Sequence, residues 1–246
     1  MIDPERLSLQ LYTIRAELDR DLEGAVARVA GIGFRQVEPF GLTDLGPRLA
    51  GPLAEHGLTA PTTHARMIGS DPSAVFDAAI RLGTSTVIDP YVDPKRWQSS
   101  DDVRQIATEL NEVAGTAKDH GLTVGYHNHH FELESRIDGR HALELFAEQL
   151  DPDVVLEVDA YWAAVGGADV PALLERLGDR VVALHIKDGD GTLDNNAQVA
   201  VGAGTMPVAA ILDAAPDALP VVELDDFAGD MFTAVADSYA YLSEAA

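Results

Sequence analysis

The feature that most constrains this chain is an alternation repeated eight times. A short β-rich run leads into a polar connection, then into an amphipathic helical stretch, and the next run follows. The runs are Leu7–Tyr12, Gln36–Glu38, Thr59–His64, Thr86–Asp89, Thr123–His127, Val154–Asp159, Val181–His185 and Val221–Glu223. Helical periodicity marks Leu22–Gly31, Ala74–Gly83, Val103–His120, Ala142–Leu150, Val170–Gly178 and Val208–Ala215. Gly33, Gly57, Gly83, Gly121 and Gly178 stand where a left-handed residue closes a helix. VVLEV and VVALHI are continuously apolar, as strands covered on both faces are. Strand–helix units repeating at about 30 residues imply a parallel sheet, and eight of them close into a barrel. The expectation is an α/β fold, a (β/α)8 TIM barrel in one domain over residues 1–246. That length suits a barrel of roughly 250 residues, and no Pro/Gly/Ser-rich linker divides the chain. An open doubly wound sheet would want a Gly-rich phosphate turn after the first strand, and TIRAELDRD contains none.

Ionisable residues recur at the C-terminal ends of these runs. Glu38 ends QVE, Asp89 ends TVID and Glu223 ends PVVE, while His64 precedes Ala65 and Arg66. His127 and His129 close VGYHNH, Glu157 and Asp159 close VVLEVD, and His185 and Lys187 close VVALHIK. In a parallel barrel all these ends open on one face, where the active sites of this architecture lie. A charge at a buried strand end is costly unless it is paired, hydrogen-bonded or bound to metal. Side chains two apart share a face, so the member of each pair nearer the strand interior points into the barrel mouth and the later one sits near the rim.

Taken singly, these residues have plainer readings. A strand-end His is more often hydrogen-bonded structure than a ligand, and an Asp after a strand often caps the next helix. Asp188 and Asp190 in KDGDG read as turn formers. His56, His120 and His141 fall in or beside helical stretches and are expected at the surface, with His130 in a loop. Gly202 and Gly204 in VGAGTMP lie where barrels can hold phosphate on backbone amides, but a lone GxG reads first as a tight turn. His127, Asp159, His185 and Glu223 together, on successive strands, form a set suited to a divalent cation such as Mn, Mg, Co or Zn.

Composition removes several classes. There are no cysteines, which excludes disulfides, thiolate metal sites and Cys nucleophiles. The net charge of −24 disfavours nucleic acid and anionic membranes as partners. No run approaches the ~20 apolar residues of a membrane span. MIDPERLSLQ lacks the charged flank and apolar core of a signal peptide, so a cytoplasmic protein is expected. A homo-oligomer is compatible with such a barrel, although no exposed apolar stripe shows how it would pair.

The order YHNH, VDxYW, HIKD, VELD resembles the xylose-isomerase-like barrel superfamily, in particular its sugar phosphate isomerase/epimerase group. The resemblance covers nearly the whole chain, from LQLYTIR and GFRQVEPFG to VVELDD. It is strongest in GLTVGYHNHHFELE, VVLEVDAYWAAVGGAD and RVVALHIKDGDG. The nearest sub-groups include inosose dehydratase-like proteins, enzymes processing 3-keto-glycosides and C-glycoside deglycosidase subunits. The resemblance implies one divalent metal held from strands five to eight. Asp159, His185 and Glu223 match the last three ligands. His127 stands nearest the strand-five position, where ketose 3-epimerases carry Glu. Trp162 replaces a His of the epimerase and endonuclease IV branches, which argues against a multi-zinc phosphodiesterase.

The expected chemistry is proton abstraction beside a carbonyl in a small carbohydrate, through a metal-stabilised enediolate. His127, Asp159, His185 and Glu223 are the expected metal ligands, with Glu223 doubling as base. His129 and Glu157 are alternative acid/base groups. Lys187 would steady an enolate oxygen or bind substrate. Glu38, His64, Arg66, Glu132 and Trp162 are expected to line the sugar pocket. Proton return decides between epimerase and isomerase, and loss of a β-substituent would make a lyase (a dehydratase or deglycosidase). A barrel that only binds sugar would not need the strand-end set.

Overall fold

Eight parallel strands form the barrel wall in the computed structural model, which describes residues 2–244. They are β1 Ser8–Gln10, β2 Gln36–Glu38, β3 Thr62–His64, β4 Thr86–Asp89, β5 Thr123–His127, β6 Val155–Asp159, β7 Val181–Ile186 and β8 Leu219–Val222. Sequence neighbours pair except β2 with β3, and β1 also pairs with β8. At the seam between β2 and β3 a single parallel bridge, Gln36 to Thr59, nearly closes the ring. The expected run Thr59–His64 is therefore broken. Pro61 interrupts it because it has no N–H to offer a ladder. The expected α/β barrel is the one the chain builds.

Outside the wall lie α1 Leu22–Ile32, α2 Leu42–Glu55, α3 Ser73–Leu82, α4 Ser100–Asp119, α5 Ala142–Ala147, α6 Val170–Leu177, α7 Val208–Ala214 and α8 Met231–Glu244. Each of the six expected stretches coincides with one of these to within a few residues. Helix α2 was not expected, because Pro47 and Pro52 stand inside it and each removes a backbone donor. It holds by burying Leu42, Leu45, Leu49 and Leu53 along one stripe. Helix α8 also lay outside the expected stretches.

Alternation along the strands sorts side chains to two sides. On β5, Tyr126 faces outward into an aromatic cluster with Trp97 and Phe146, at centroid distances of 5.4 and 5.2 Å. His127, its neighbour, faces the mouth. Gly125 allows the strands to approach closely: a Cβ there would meet Ile88 Cδ1 at 2.7 Å and the Val155 carbonyl oxygen at 2.8 Å. His141 is a correction to the surface placement. It is buried, with Nδ1 on the Leu133 carbonyl, because the short hairpin Arg136–Ile137/Arg140–His141 folds its ring inward.

Candidate active site

Strand register assembles the mouth. It sets Gln10 beside Glu38, His127 beside Glu157, and Asp159 beside His185. Each barrel strand ends on, or one residue before, a polar side chain that the neighbouring strand end can reach.

The floor is organised by one carboxylate. Glu157 is fully buried, and its Oε1 lies 2.5 Å from His64 Nε2, 3.0 Å from His127 Nδ1 and 2.9 Å from His185 Nε2. An ionised carboxylate only accepts, so each of those nitrogens carries a proton. Nε2 of His127 is left as a lone-pair atom, whereas burial opposes a charge on His64 but the Glu38 and Glu157 carboxylates push its pKa up; both rings line the cavity above. Glu38 sits beside Glu157, accepting from Gln10 Nε2 at 2.7 Å and lying 2.7 Å from His185 Nε2. Burial and the neighbouring Glu157 charge push the Glu38 carboxyl up. Burial would also raise Glu157, but the His185 and His64 rings outweigh it and hold the carboxyl well below the usual range. The pair thus keeps its negative charge on Glu157.

A second group lies one layer higher. Asp159, His185 and Glu223 each offer a ligand atom, all within 4.8 Å of one another. Asp159 divides its labour: Oδ1 accepts from Trp162 N at 2.8 Å and so caps the short helix Ala160–Val165, while the buried Oδ2 faces the Lys187 ammonium at 2.9 Å. Asn128 ties the β5 and β6 ends together, with its Oδ1 accepting from Asp159 N at 3.1 Å. His185 Nδ1 meets Glu223 Oε2 at 2.6 Å. His127 is grouped instead with His64, Glu157 and His185, its Nε2 being 3.9 Å from Asp159 Oδ2.

Lys187 is almost fully buried, and its ammonium lies 2.9 Å from Asp159 Oδ2, 2.8 Å from Glu223 Oε2 and 2.7 Å from Asp225 Oδ2. Burial disfavours its charge, but Asp159, Asp225 and Glu223 more than compensate and hold its pKa well above normal. Burial likewise opposes ionised Glu223, yet Lys187 and His185 hold that carboxyl well below normal. Burial raises Asp159 to about 6 against the pull of Lys187. Burial and the His185 charge keep His127 uncharged, while burial and Lys187 lower His129 to about 4.

Above these groups opens a cavity of ≈ 590 Å³. His64, Arg66, His127, His129, Lys187 and Glu223 line it. Glu38, Glu132 and Trp162 are buried and are not among the lining residues, Glu38 lying on the floor beside Glu157. Glu132 is fully buried, accepting from Tyr126 Oη at 2.7 Å and His129 N at 2.8 Å. Trp162 has Lys187 Nζ 5.4 Å from its ring centroid. Glu157, weighed as an acid/base group, lies beneath the three rings. Asp225 joins the site without having been among the expected residues, although the VELDD run displays it two residues after Glu223. Tyr12, Phe40 and Tyr91 were overlooked as lining, since aromatics just past strands read as ordinary core.

The turn Gly202–Met206 does not present an open phosphate cradle. Its amides are already used: Asp188 accepts from Gly202 N, Gly204 N and Met206 N at 2.9, 3.1 and 3.0 Å, and from Gly189 N at 2.9 Å. Asp188 is buried and does more than form a turn, whereas Asp190 does form one, through Thr192.

Comparison with known proteins agrees with this architecture. A sugar phosphate isomerase/epimerase from Parabacteroides distasonis ATCC 8503 superimposes with a TM-score of 0.85 at 25% identity, covering 99% of this chain and 95% of that one. The IOLI protein with a binding zinc atom shares the fold with a TM-score of 0.70 at 14% identity, over 97% and 95% of the two chains. Inosose dehydratase of Lactiplantibacillus plantarum (strain ATCC BAA-793 / NCIMB 8826 / WCFS1) is 32% identical over 100 residues, which is 40% of this chain and only 30% of that protein's length. The family profile described as xylose isomerase-like TIM barrel matches residues 26–218, and the chain belongs to that family.

Proposed function

We propose that this protein is a sugar isomerase or epimerase that abstracts a proton beside a carbonyl, with a divalent cation held by Asp159, His185 and Glu223. The observation that carries the reading is the convergence of those three side chains, from successive strand ends, below a cavity of ligand size. Two carboxylates and an imidazole suit Mn, Mg, Co or Zn, and the carboxylate oxygens of Asp159 and Glu223 already converge on one positive group, the Lys187 ammonium at 2.9 and 2.8 Å. A divalent cation held there would supply Lewis acidity toward the carbonyl and hydroxyl oxygens of the substrate.

The chain's own residues supply the rest. Glu223 lines the cavity as an ionised carboxylate and is assigned the removal of the proton. His127 keeps an uncharged ring whose unprotonated Nε2 belongs to the mouth side, and it is assigned the second proton position. Glu157 orients the rings of His64, His127 and His185. Lys187 places a positive charge where a substrate oxygen gains negative charge. Return of the proton to the opposite face gives an epimer, and return to the adjacent carbon gives an isomer. A leaving group at the β-carbon would instead make the protein a lyase, the reading favoured by the stretch shared with inosose dehydratase.

The test is solvent-deuterium exchange followed by proton NMR. Metal-loaded protein is offered ketoses, ketose phosphates, inososes and 3-keto-glycosides in heavy water. Deuterium beside the carbonyl is expected, and the product then distinguishes epimer, isomer and alkene. Absence of exchange from every probe, with metal demonstrably bound, would refute the enolate chemistry.

A further inference from the structure

The cavity has two unlike walls, and they follow the two halves of the barrel. The segments after β5, β7 and β8 contribute His127, His129, Lys187, Glu223 and Asp225. The segments after β1, β2 and β4 contribute Tyr12, Phe40, Leu42, Pro90 and Tyr91, and the end of β3 and the helix after it add His64, Arg66 and Val75. Its volume, ≈ 590 Å³, is in the range that holds drug-sized ligands and is generous for one sugar ring. The apolar wall is shaped rather than incidental. Tyr12 is 40% exposed and meets Phe40 edge-on at 5.3 Å. Tyr91 is held edge-on against His129 and Phe131, both at 5.8 Å. Apolar area left open beside a polar site marks a place for apolar ligand surface.

Nothing on that wall is built for phosphate. The backbone amides of the Gly202–Met206 turn are occupied by Asp188. Arg66 lies over the Tyr91 ring at 4.9 Å, and among the described residues no second Lys or Arg lines that wall. The other cation in the cavity, Lys187, is held by three acids.

We propose that the first half of the barrel forms a subsite for an apolar group, so that the substrate is an unphosphorylated sugar carrying an aryl or alkyl substituent: a glycoside rather than a free or phosphorylated sugar. The inference rests on the sugar-directed reading of the site above. With the reacting carbons against the ionisable wall, the substituent projects onto Tyr12, Phe40, Leu42 and Tyr91. Arg66 then covers the back of the Tyr91 ring rather than seeking an anion.

The test separates binding from chemistry. Affinities of the full-length, metal-loaded protein for phenyl and methyl glucosides of both anomers, and for glucose 6-phosphate, are measured by NMR titration. A phenyl glucoside is expected to bind at least about tenfold more tightly than its methyl counterpart, the scale of partial burial of an aryl ring. Phe40→Ala is expected to narrow that ratio. Equal affinities, a ratio insensitive to Phe40→Ala, or preference for the phosphate ester would overturn the subsite. Deuterium exchange on the matching 3-keto sugars is read separately: aryl preference without exchange refutes the enolate chemistry and leaves the subsite standing, whereas exchange without aryl preference does the reverse.

Discussion

Asp188→Asn is the sharpest test of how the rim of this barrel is held. The carboxylate of Asp188 accepts four backbone N–H groups, two on each oxygen, and is buried. An amide keeps one oxygen and turns an NH2 group toward the other pair. Two N–H donors then lose their acceptor and face a donor instead. At about 1–3 kcal/mol for each unsatisfied donor, the loss is about 3–5 kcal/mol. A domain of this size loses about 2–4 °C of melting temperature per kcal/mol, so a fall of roughly 10 °C is expected. Thermal unfolding followed by circular dichroism measures it. Asp188→Ala supplies the complementary arm. It empties the nest of amides, and because Gly202 and Gly204 lie at the surface, millimolar inorganic phosphate should regain part of the lost stability while leaving the wild type unchanged. A melting point within about 2 °C of wild type for Asp188→Asn would refute the reasoning, since four well-placed bonds to a buried carboxylate should cost more.

Lys187→Met is expected to tighten binding of Mn or Zn by about tenfold or more, measured by calorimetric titration, because an ammonium within 2.9 Å of Asp159 and Glu223 competes for the oxygens a metal would use. Unchanged or weaker binding would show that Lys187 is no competitor. Glu157→Gln should weaken metal binding by about 10–100-fold, the usual effect of losing a carboxylate that orients a ligand imidazole, and should shift the ¹⁵N signals of His64, His127 and His185 together. Movement of one ring alone would contradict the common anchor. Glu132 gives a pH signature: burial raises its carboxyl from 4.5 to about 8, so the folded state holds the proton more tightly than the unfolded chain. The stabilising contribution is complete below about pH 4.5 and is lost as pH rises through about 8. In EDTA, Glu132→Gln should therefore gain in melting temperature relative to wild type between pH 5 and pH 9, and a pH-independent difference would count against a raised Glu132.

The barrel was legible because β5, β6 and β7 are continuous apolar runs ending in ionisable residues, and glycines such as Gly83 mark helix ends. Helix α2 was hidden because Pro47 and Pro52 speak locally against a helix, and only the buried leucine stripe outweighs them. The site was legible as a set of strand ends. Its layering was not: spacing says that Glu157 and Asp159 share a face, but register and burial decide that one orients histidines and the other faces Lys187. Glu132 illustrates a different limit. It was expected to line the sugar pocket, and the short helix Phe131–Glu134 instead buries it against the Tyr126 hydroxyl. The apolar half of the cavity could not be separated in sequence from core, since Phe40 and Tyr91 are spaced like any residue that follows a strand.

One oxygen of Glu157 reaches rings borne by β3, β5 and β7, so those three strand ends behave as a single rigid body. Change at any one of them disturbs the other two, and drift there must be concerted. Tyr12, Phe40, Leu42 and Tyr91 share no such hub and can be exchanged one at a time. The cavity thus joins a histidine cluster in which substitution is coupled to an apolar lining in which it is freer, and selection for new substrates would act first on the lining.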